Sequence, residues 1–204
     1  MHKNFRKNRK TVRQILNHHF DRFGKCDRIK TLASHLKMPT LFFEKKDEEK
    51  TMIPERLAAL REKMRAYGVD AYLVPTADYH ESEYVGTYFK ARTYITGFTG
   101  SAGTAVITQD EACLWTDGRY FVQAAKELAG TGVTLMKMGQ EGVPTVEEYL
   151  AANTKEGMTI GFDGRVVNEM LGEALEKTLP ERFLSYRSDL IGEIWSDRPA
   201  LSAE

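Results

Sequence analysis

The chain has 204 residues, a formal net charge of zero and 42% hydrophobic residues, which fits one globular domain with an appendage. The neutral total hides an asymmetry: residues 1–50 carry 14 Lys and Arg against 6 Asp and Glu, and the remainder carries 15 against 23. We therefore expect two parts with different roles. No apolar run approaches the ~20 residues of a membrane span, and no apolar segment follows the basic N-terminus, so neither a membrane helix nor a secretory signal is expected.

The basic segment, residues 1–50, gives the least specific pattern. Asn4–Phe23 has apolar residues near one face of a basic helix. We interpret the segment as an arm or poorly ordered extension. A nucleic-acid-binding helix and a misassigned start or added leader are the alternatives. The charged run Glu44–Lys50 is expected to be a linker, and Pro54 suits the first turn of the next helix.

The remaining sequence predicts alternating helices and strands. Apolar spacing and turn residues predict a helix at 56–67, a strand at 70–75, a loop with a short helix at 79–89, strands at 104–108 and 112–116, a helix at 120–128, a strand at 134–138, a helix at 145–151, a strand at 159–163, a helix at 168–179, a strand at 183–186 and a short helix at 189–195. In the helix at 168–179, the inward side is expected to carry Met170, Leu171, Ala174 and Leu175. This order predicts an α/β fold, a mixed β-sheet flanked by helices.

The run from Gly97 to Phe121 is the most informative segment. Gly97, Gly100 and Gly103 precede two β-type runs that are separated by three polar residues, a pattern typical of a β-hairpin. We expect these glycines at positions of positive φ or close packing. Asp117 and Gly118 then end the second strand.

Cysteine use indicates no metal or redox motif. Cys26 and Cys113 are the two cysteines, and no CxxC spacing occurs. Cys113 falls in a predicted strand and is expected to be a small buried hydrophobe. A reducing, cytoplasmic setting fits this composition best.

The search for catalytic groups finds few candidates. His80, Glu81 and Glu83 form the best local polar cluster, which we interpret as a polar loop or as a wall of a substrate cleft. No metal-binding constellation such as HExxH is present. Ser101 lies in a Gly-Ser-Ala-Gly loop, but no histidine follows it in the chain, so a serine nucleophile is not supported.

The Asp117-Gly118-Arg119-Tyr120 segment allows two interpretations. In the structural one, Asp117 caps the next helix and Arg119 pairs with a nearby carboxylate. In the functional one, Arg119 clamps a carboxylate at an interface with another domain or subunit.

Five segments in the same order resemble one protein family. They are DAYLVPTADYHESEY, RTYITGFTGSAGTAVIT, LWTDGRYFVQAAKEL, TLMKMG and EIWSDRP. Together they resemble the N-terminal domain of Xaa-Pro aminopeptidases of the three-domain type and, more distantly, the creatinase and prolidase N-terminal domains. The resemblance covers about Ile53 to Pro199, nearly all of the chain outside the basic segment.

The resemblance implies a ribonuclease-H-like creatinase N-terminal fold at residues 51–204, preceded by an extension at 1–50. In this family the chemistry belongs to a separate C-terminal catalytic domain, where two divalent metals, usually manganese, activate a water that attacks the Xaa-Pro bond. This chain ends where the linker to the next domain is expected. The resemblance therefore implies a chain with no catalytic residues and no metal or cofactor of its own.

The resemblance also implies site residues and partners. Cleft or interface contacts are expected from His80, Glu83, Tyr84, Arg119 and Tyr120. The structural loop positions are Gly97, Gly100, Ser101, Gly103, Asp117 and Gly118. The expected partners are the parent's catalytic domain, a second copy of the chain and, through the parent, proline-containing peptides. A stand-alone dimerisation module and a proline dipeptidase domain remain the alternatives.

Overall fold

The computed structural model describes residues 38–186 and 189–201, with side chains from Lys50 onward. The chain divides into two compact units, Met1–Lys45 and Lys46–Glu204, and the β-sheet lies wholly in the second. The basic helix predicted at Asn4–Phe23 lies outside the described residues. Within the described part of the chain, no helix is long and apolar enough to cross a membrane.

Six strands and six α-helices make up the described structure. The helices are α1 (Met38–Tyr67), α2 (Ala91–Thr96), α3 (Phe121–Glu127), α4 (Val146–Asn153), α5 (Glu169–Thr178) and α6 (Leu190–Ile194), with a 3₁₀ turn at Thr87–Phe89. The strands are β1 (Ala71–Pro75), β2 (Thr104–Thr108), β3 (Ala112–Thr116), β4 (Thr134–Lys137), β5 (Thr159–Phe162) and β6 (Phe183–Ser185). The fold is the mixed α/β architecture that the sequence predicts.

The six strands form one mixed sheet in the order β4-β3-β2-β1-β5-β6. Strand β2 pairs antiparallel with both β1 and β3, whereas β4 is parallel to β3, and β5 and β6 are parallel to β1. Five strands therefore run in one direction and β2 alone runs in the other. The predicted hairpin is confirmed, and its turn is closed by the Thr108 N–H donating to the Glu111 carbonyl at 2.9 Å.

Helices cover both faces of the sheet. Because side chains alternate along a strand, Tyr72 and Val74 of β1 pack into one core cluster with α1, while Ala71 and Leu73 pack into the other with α4 and α5. Cys113 is buried in the second cluster, as the sequence predicts, and burial raises the pKa of its thiol. Strands β1 to β3 are thus buried on both sides.

Two of the predicted helices differ in detail from the prediction. Helix α1 begins at Met38 and includes the charged run Glu44–Lys50, so this run is not a linker, and Pro54 lies inside the helix. Glu and Lys are strong helix formers, and packing of Ile53, Leu57, Leu60 and Met64 outweighs the one helical bond that Pro54 cannot donate.

The second difference concerns the inward side of α5. Met170 was expected there but is 75% exposed. Leu175 is buried and Leu171 is half-buried, and these two residues lie four apart on one helix face. Met170 lies about 100° around the helix from Leu171, outside that face.

Candidate functional site

The candidate residues lie in loops at one end of the sheet, here called the loop end. The C-terminal ends of five strands and the start of β2 meet there, because β2 alone runs in the opposite direction. The loop after β1 carries His80, Glu83 and Tyr84, and the loop after β3 carries Arg119 and Tyr120. The glycine loop, residues 97–103, leads into β2 and lies between them.

Backbone geometry explains two of the glycines in this loop. Gly97 ends α2 with φ of 75°, a left-handed conformation that favours glycine. At Gly103 a Cβ atom would lie 2.8 Å from the Trp115 carbonyl oxygen of the neighbouring strand. Gly118 differs, since its φ is not positive and the nearest atom to an added Cβ would be 3.9 Å away.

A buried arginine, which the sequence analysis did not identify, holds the glycine loop from inside. Arg92 is 3% exposed, and its Nε donates to Thr76 Oγ1 at 2.6 Å. The other two guanidinium nitrogens donate to the backbone carbonyls of Phe98 and Gly100. Burial lowers the pKa of Arg92 to about 10. The side chain therefore joins the end of β1 to the loop.

A buried glutamate holds the same loop from the side of α3. Glu127 is 5% exposed and accepts hydrogen bonds from the backbone N–H of Thr99 at 2.8 Å and from its hydroxyl at 2.9 Å. Gln123, one turn earlier on α3, donates to the Thr99 hydroxyl as well. Arg92 and Glu127 together hold residues 98–100 of the loop.

The outer surface of the loop carries Ser101, which pairs with Tyr120. The two hydroxyl oxygens are 2.7 Å apart, and the Tyr120 ring packs edge-on against Phe98 with centroids 5.8 Å apart. No histidine pairs with Ser101 among the described residues. The arrangement is that of a surface hydroxyl cluster, without a general base that could activate Ser101.

Arg119 forms a two-pronged ion pair with Asp117. Its Nε and Nη2 atoms donate to the two carboxylate oxygens at 2.9 and 2.8 Å, and its backbone N–H also donates to Asp117. The structural interpretation expected Asp117 to cap α3, and this expectation is wrong. Tyr120 holds the N-cap position without a side-chain bond, and both Asp117 carboxylate oxygens bind Arg119 instead. The expected pairing of Arg119 with a nearby carboxylate is present, with Asp117 as the partner.

The hydrogen bonds and charge of Asp117 raise the pKa of Arg119, and the negative charge of Glu83 in the loop after β1 makes a small contribution in the same direction. Tyr84 beside Glu83 is 76% exposed. The structure therefore brings Arg119, Tyr120 and Ser101 together on one exposed surface. This surface, with exposed Glu83 and Tyr84 of the loop after β1, is here called the loop-end surface.

The loop that carries Glu83 is fixed by Asp78. This residue is 8% exposed, and its Oδ1 accepts from the backbone N–H groups of His80 and Ser82 at 2.9 and 3.0 Å. The hydrogen bonds from Ser82, followed by the smaller contribution of His80, hold the pKa of Asp78 below its usual range. Glu81 takes the left-handed φ of 55° in this turn.

His80 faces a separate polar cleft of about 360 Å³ with Arg165 and Asn168. Arg165 belongs to a charge network that the sequence analysis also missed, since it pairs with Asp163 and Asp189 at 2.9 Å each. Asp189 also accepts from Arg198, which ties the C-terminal Asp-Arg-Pro segment to the loop end. No group of His, Cys, Asp and Glu among the described residues is suited to hold a metal.

The chain matches known proteins over the part that forms this fold. Residues 56–194 match the creatinase/prolidase N-terminal domain family. Aminopeptidase P2 of Arabidopsis thaliana is 41% identical over 159 residues, 75% of this chain and 22% of that protein. A probable Xaa-Pro aminopeptidase P of Talaromyces marneffei is 45% identical over 150 residues, 72% of this chain and 23% of that protein.

A solved structure has the same fold. The X-prolyl aminopeptidase of Caenorhabditis elegans, described as a cytosolic enzyme with a di-nuclear active site, aligns with a TM-score of 0.68 and 36% identity, over 74% of this chain and 26% of that enzyme. The chain thus spans about a quarter of the length of such relatives. Because residues 56–194 match this family and the two curated relatives are 41% and 45% identical over more than two thirds of the chain, the chain belongs to the creatinase/prolidase N-terminal domain family.

Proposed function

We propose that this chain is the non-catalytic N-terminal domain of a metal-dependent, cytoplasmic Xaa-Pro aminopeptidase, which removes the N-terminal residue that precedes proline. The observation that carries the proposal is the identity of 41% to an aminopeptidase P over 159 residues and of 45% to another over 150 residues. The five segments on which the resemblance rests include the loops that build the loop-end surface.

The hydrolytic chemistry is assigned to the catalytic domain of a parent enzyme. Two divalent metals, with manganese the expected ion, would supply an activated water there. The described residues offer no set of ligands for such a pair, since no group of His, Cys, Asp and Glu is arranged for a metal. No catalytic step is therefore assigned to this chain.

The proposed role of the loop-end surface is to contact the catalytic domain or a second subunit and to narrow the substrate cleft. Exposed Arg119 has its Nη1 unbonded within the described structure, so it can donate to a carboxylate while it stays paired with Asp117. Tyr84 adds an exposed aromatic side chain, a residue type enriched at interfaces. Buried Arg92 and Glu127 bind the backbone of the adjacent glycine loop and so help to fix this surface.

The proposal is tested first with the chain alone. Purified protein with added Mn²⁺ should not hydrolyse an Xaa-Pro tripeptide, although its circular dichroism shows a folded α/β protein. Metal-dependent turnover that follows the protein through purification would contradict the assignment, and His80, Glu81 and Glu83 would then be the first residues to substitute.

A second test examines the contribution to the cleft. Residues 51–201 replace the N-terminal domain of the Caenorhabditis elegans enzyme, and the chimera is assayed with tripeptides and longer peptides. Activity should be retained, and Arg119→Ala should change KM or the dependence on peptide length. Lys155→Ala, which alters an exposed lysine outside the loop end, serves as the matched control. Identical kinetics for both variants would contradict a role in the cleft.

A stand-alone dimerisation module is the second candidate function. The exposure of both Glu83 and Arg119 in loops at the loop end favours it, because a two-fold contact between two copies could pair the glutamate of each with the arginine of the other. Light scattering at high protein concentration should then show a dimer that Arg119→Glu dissociates. A monomer throughout would contradict this candidate. A proline dipeptidase as parent would be recognised by dipeptide-only activity of the full-length parent enzyme, because the chimera carries the catalytic domain of another enzyme.

A further inference from the structure

A second concave site lies on the side of the domain formed by α1, α2 and the C-terminal segment. It is a cleft of about 310 Å³, here called the basic cleft. Its lining includes Lys50, Arg56, Lys90, Thr93, Tyr94 and Trp195. This volume falls at the lower end of the range of small-molecule sites. The cleft shares Gly97 and Thr99 with the glycine loop and none of its lining with the loop-end surface.

The charge of the basic cleft is strongly one-sided. Three cationic side chains line it, against the single carboxylate of Asp197. None of Lys50, Arg56 and Lys90 forms an ion pair among the described residues. The domain from residue 51 onward is acidic overall, with 23 Asp and Glu against 15 Lys and Arg, so a cleft lined by three cations and one carboxylate has the opposite charge to the rest of the domain.

Hydrogen-bonding capacity in the basic cleft is also one-sided. The Thr93 hydroxyl, the Trp195 indole N–H and the Lys90 ammonium make no hydrogen bond within the described part of the chain, and each can donate. A ligand that complements this lining is therefore rich in acceptors and negatively charged. Phosphate oxygens meet both conditions, and Lys, Arg and hydroxyl groups are their usual partners in proteins.

The lining is held rigid by a ladder of stacked side chains. The Arg56 guanidinium lies 4.1 Å from the Tyr94 ring centre, Tyr94 stacks on Trp195 at 4.5 Å, and the Arg198 guanidinium lies 5.5 Å from the Trp195 ring centre. Arg56 also donates to the Tyr94 carbonyl at 2.9 Å, and Lys50 donates to the Lys126 carbonyl at 2.7 Å. Two of the three cations are thus positioned before any ligand arrives, which reduces the entropy lost on binding.

From this lining we propose that the basic cleft binds a phosphate group of a small molecule. Arg56 and Lys50 supply fixed positive charge at the wall, and exposed Lys90 closes over the anion from the side of α2. A phosphate fits better than an acidic polypeptide, because the site is a concave cleft of small volume rather than an extended groove. This inference does not rest on the proposed function.

The first experiment is calorimetric titration of the 204-residue chain with sodium pyrophosphate in phosphate-free buffer at low and moderate salt. Saturable binding of one pyrophosphate per chain is expected. Lys90→Gln should weaken it about tenfold, the effect of one lost charge-assisted hydrogen bond. The double variant Arg56→Gln/Lys90→Gln should abolish it. Because Lys90 is exposed and makes no side-chain bond among the described residues, its substitution leaves the fold intact, which thermal unfolding checks.

The matched control is Lys155→Gln, which removes the same charge from an exposed position outside the basic cleft. Equal weakening by Lys155→Gln and Lys90→Gln, or no saturable binding, would overturn the proposal. Two further probes define the source of the phosphate, namely adenosine diphosphate and vesicles that contain phosphatidic acid. Binding of either that depends on Lys90 supports the site. Tighter Lys90-dependent binding of a tetraglutamate peptide than of pyrophosphate would overturn the phosphate assignment in favour of an acidic polypeptide.

Discussion

Gly103 and Gly118 have different physical roles, although both lie in the segments on which the family resemblance rests. Gly103→Ala would bring a Cβ within 2.8 Å of the Trp115 carbonyl, a backbone atom that cannot rotate away. We expect a loss of about 1–3 kcal/mol in the free energy of unfolding, since β2 and β3 must separate to relieve the clash. Denaturant unfolding measures the change.

Gly118→Ala is the matched control for this prediction. An added Cβ would meet its nearest atom at 3.9 Å, and φ is not positive there, so the change should be close to neutral. A destabilisation by Gly118→Ala as large as that by Gly103→Ala would show that local packing does not explain the glycine pattern.

We expect the ionisation of Asp78, which holds the loop that carries His80 and Glu83, to make the free energy of unfolding depend on pH. Its pKa in the folded protein is lowered from 3.8 by hydrogen bonds from Ser82 and His80, so the ionised form is favoured by folding. The resulting stabilisation is complete above the unfolded pKa and is lost as the pH falls through the lower folded pKa.

The pH dependence is measured by comparing Asp78→Asn with the unmodified chain. Asparagine retains the Oδ1 acceptor and removes the charge. The difference in free energy of unfolding should be constant above about pH 5 and should shrink below about pH 3.8. The same difference at pH 7 and at pH 3 would mean that Asp78 acts without its charge.

Among the helices and strands, the sequence best predicts those whose bounds are set by neighbouring residues in the chain. The hairpin was predicted with the bounds that the structure shows, because β-branched runs flank a polar turn. Helix α2 was missed, since its six residues are too few for helical spacing to show and include two threonines and an isoleucine, which favour strands. The start of α1 was wrong because a charged run suits both a linker and an exposed helix.

The site shows the same division between local and non-local information. The motifs indicate the loops, but the placement of Glu83 and Arg119 at the same end of the sheet depends on the sheet order. Arg92 could not be identified as buried from the sequence, because its three acceptors lie 6 to 16 residues away in the chain. A buried arginine without a carboxylate in an ion pair is rare, and no local pattern signals it.

The hydrogen bonds from Arg92 of α2 to the glycine loop lead to a prediction about stability. Arg92→Met keeps the length of the side chain but leaves the carbonyls of Phe98 and Gly100 without their donors. We expect a loss of about 2–4 kcal/mol in the free energy of unfolding, from the unsatisfied buried acceptors. Chemical denaturation of the purified variant provides the measurement.

Arg119→Met is the comparison for Arg92→Met. Its ion pair with Asp117 is exposed, with 71% of the Arg119 side chain accessible, so solvent screens the pair and the free energy of unfolding should hardly change. If both arginines contributed equally to stability, the distinction between a buried clamp and an exposed contact residue would be wrong.

At the scale of the whole molecule, the sheet unit should fold without the basic segment. The described core side chains extend from Ile53 to Ile191, and the division into compact units falls after Lys45. A chain that begins at Lys46 retains all of these side chains. Its melting temperature should therefore lie within a few degrees of that of the full chain, because the apolar area buried by the described core is unchanged.

The same truncation separates the two proposed binding properties from the charge of residues 1–45. The basic cleft and the loop-end surface lie entirely within the second unit, so pyrophosphate affinity and chimera activity should survive the deletion. Any affinity for nucleic acid should disappear, because the deleted segment carries most of the positive excess. Loss of the folded sheet on truncation would instead place part of the folding information before Lys46 and would contradict the predicted independence of the domain.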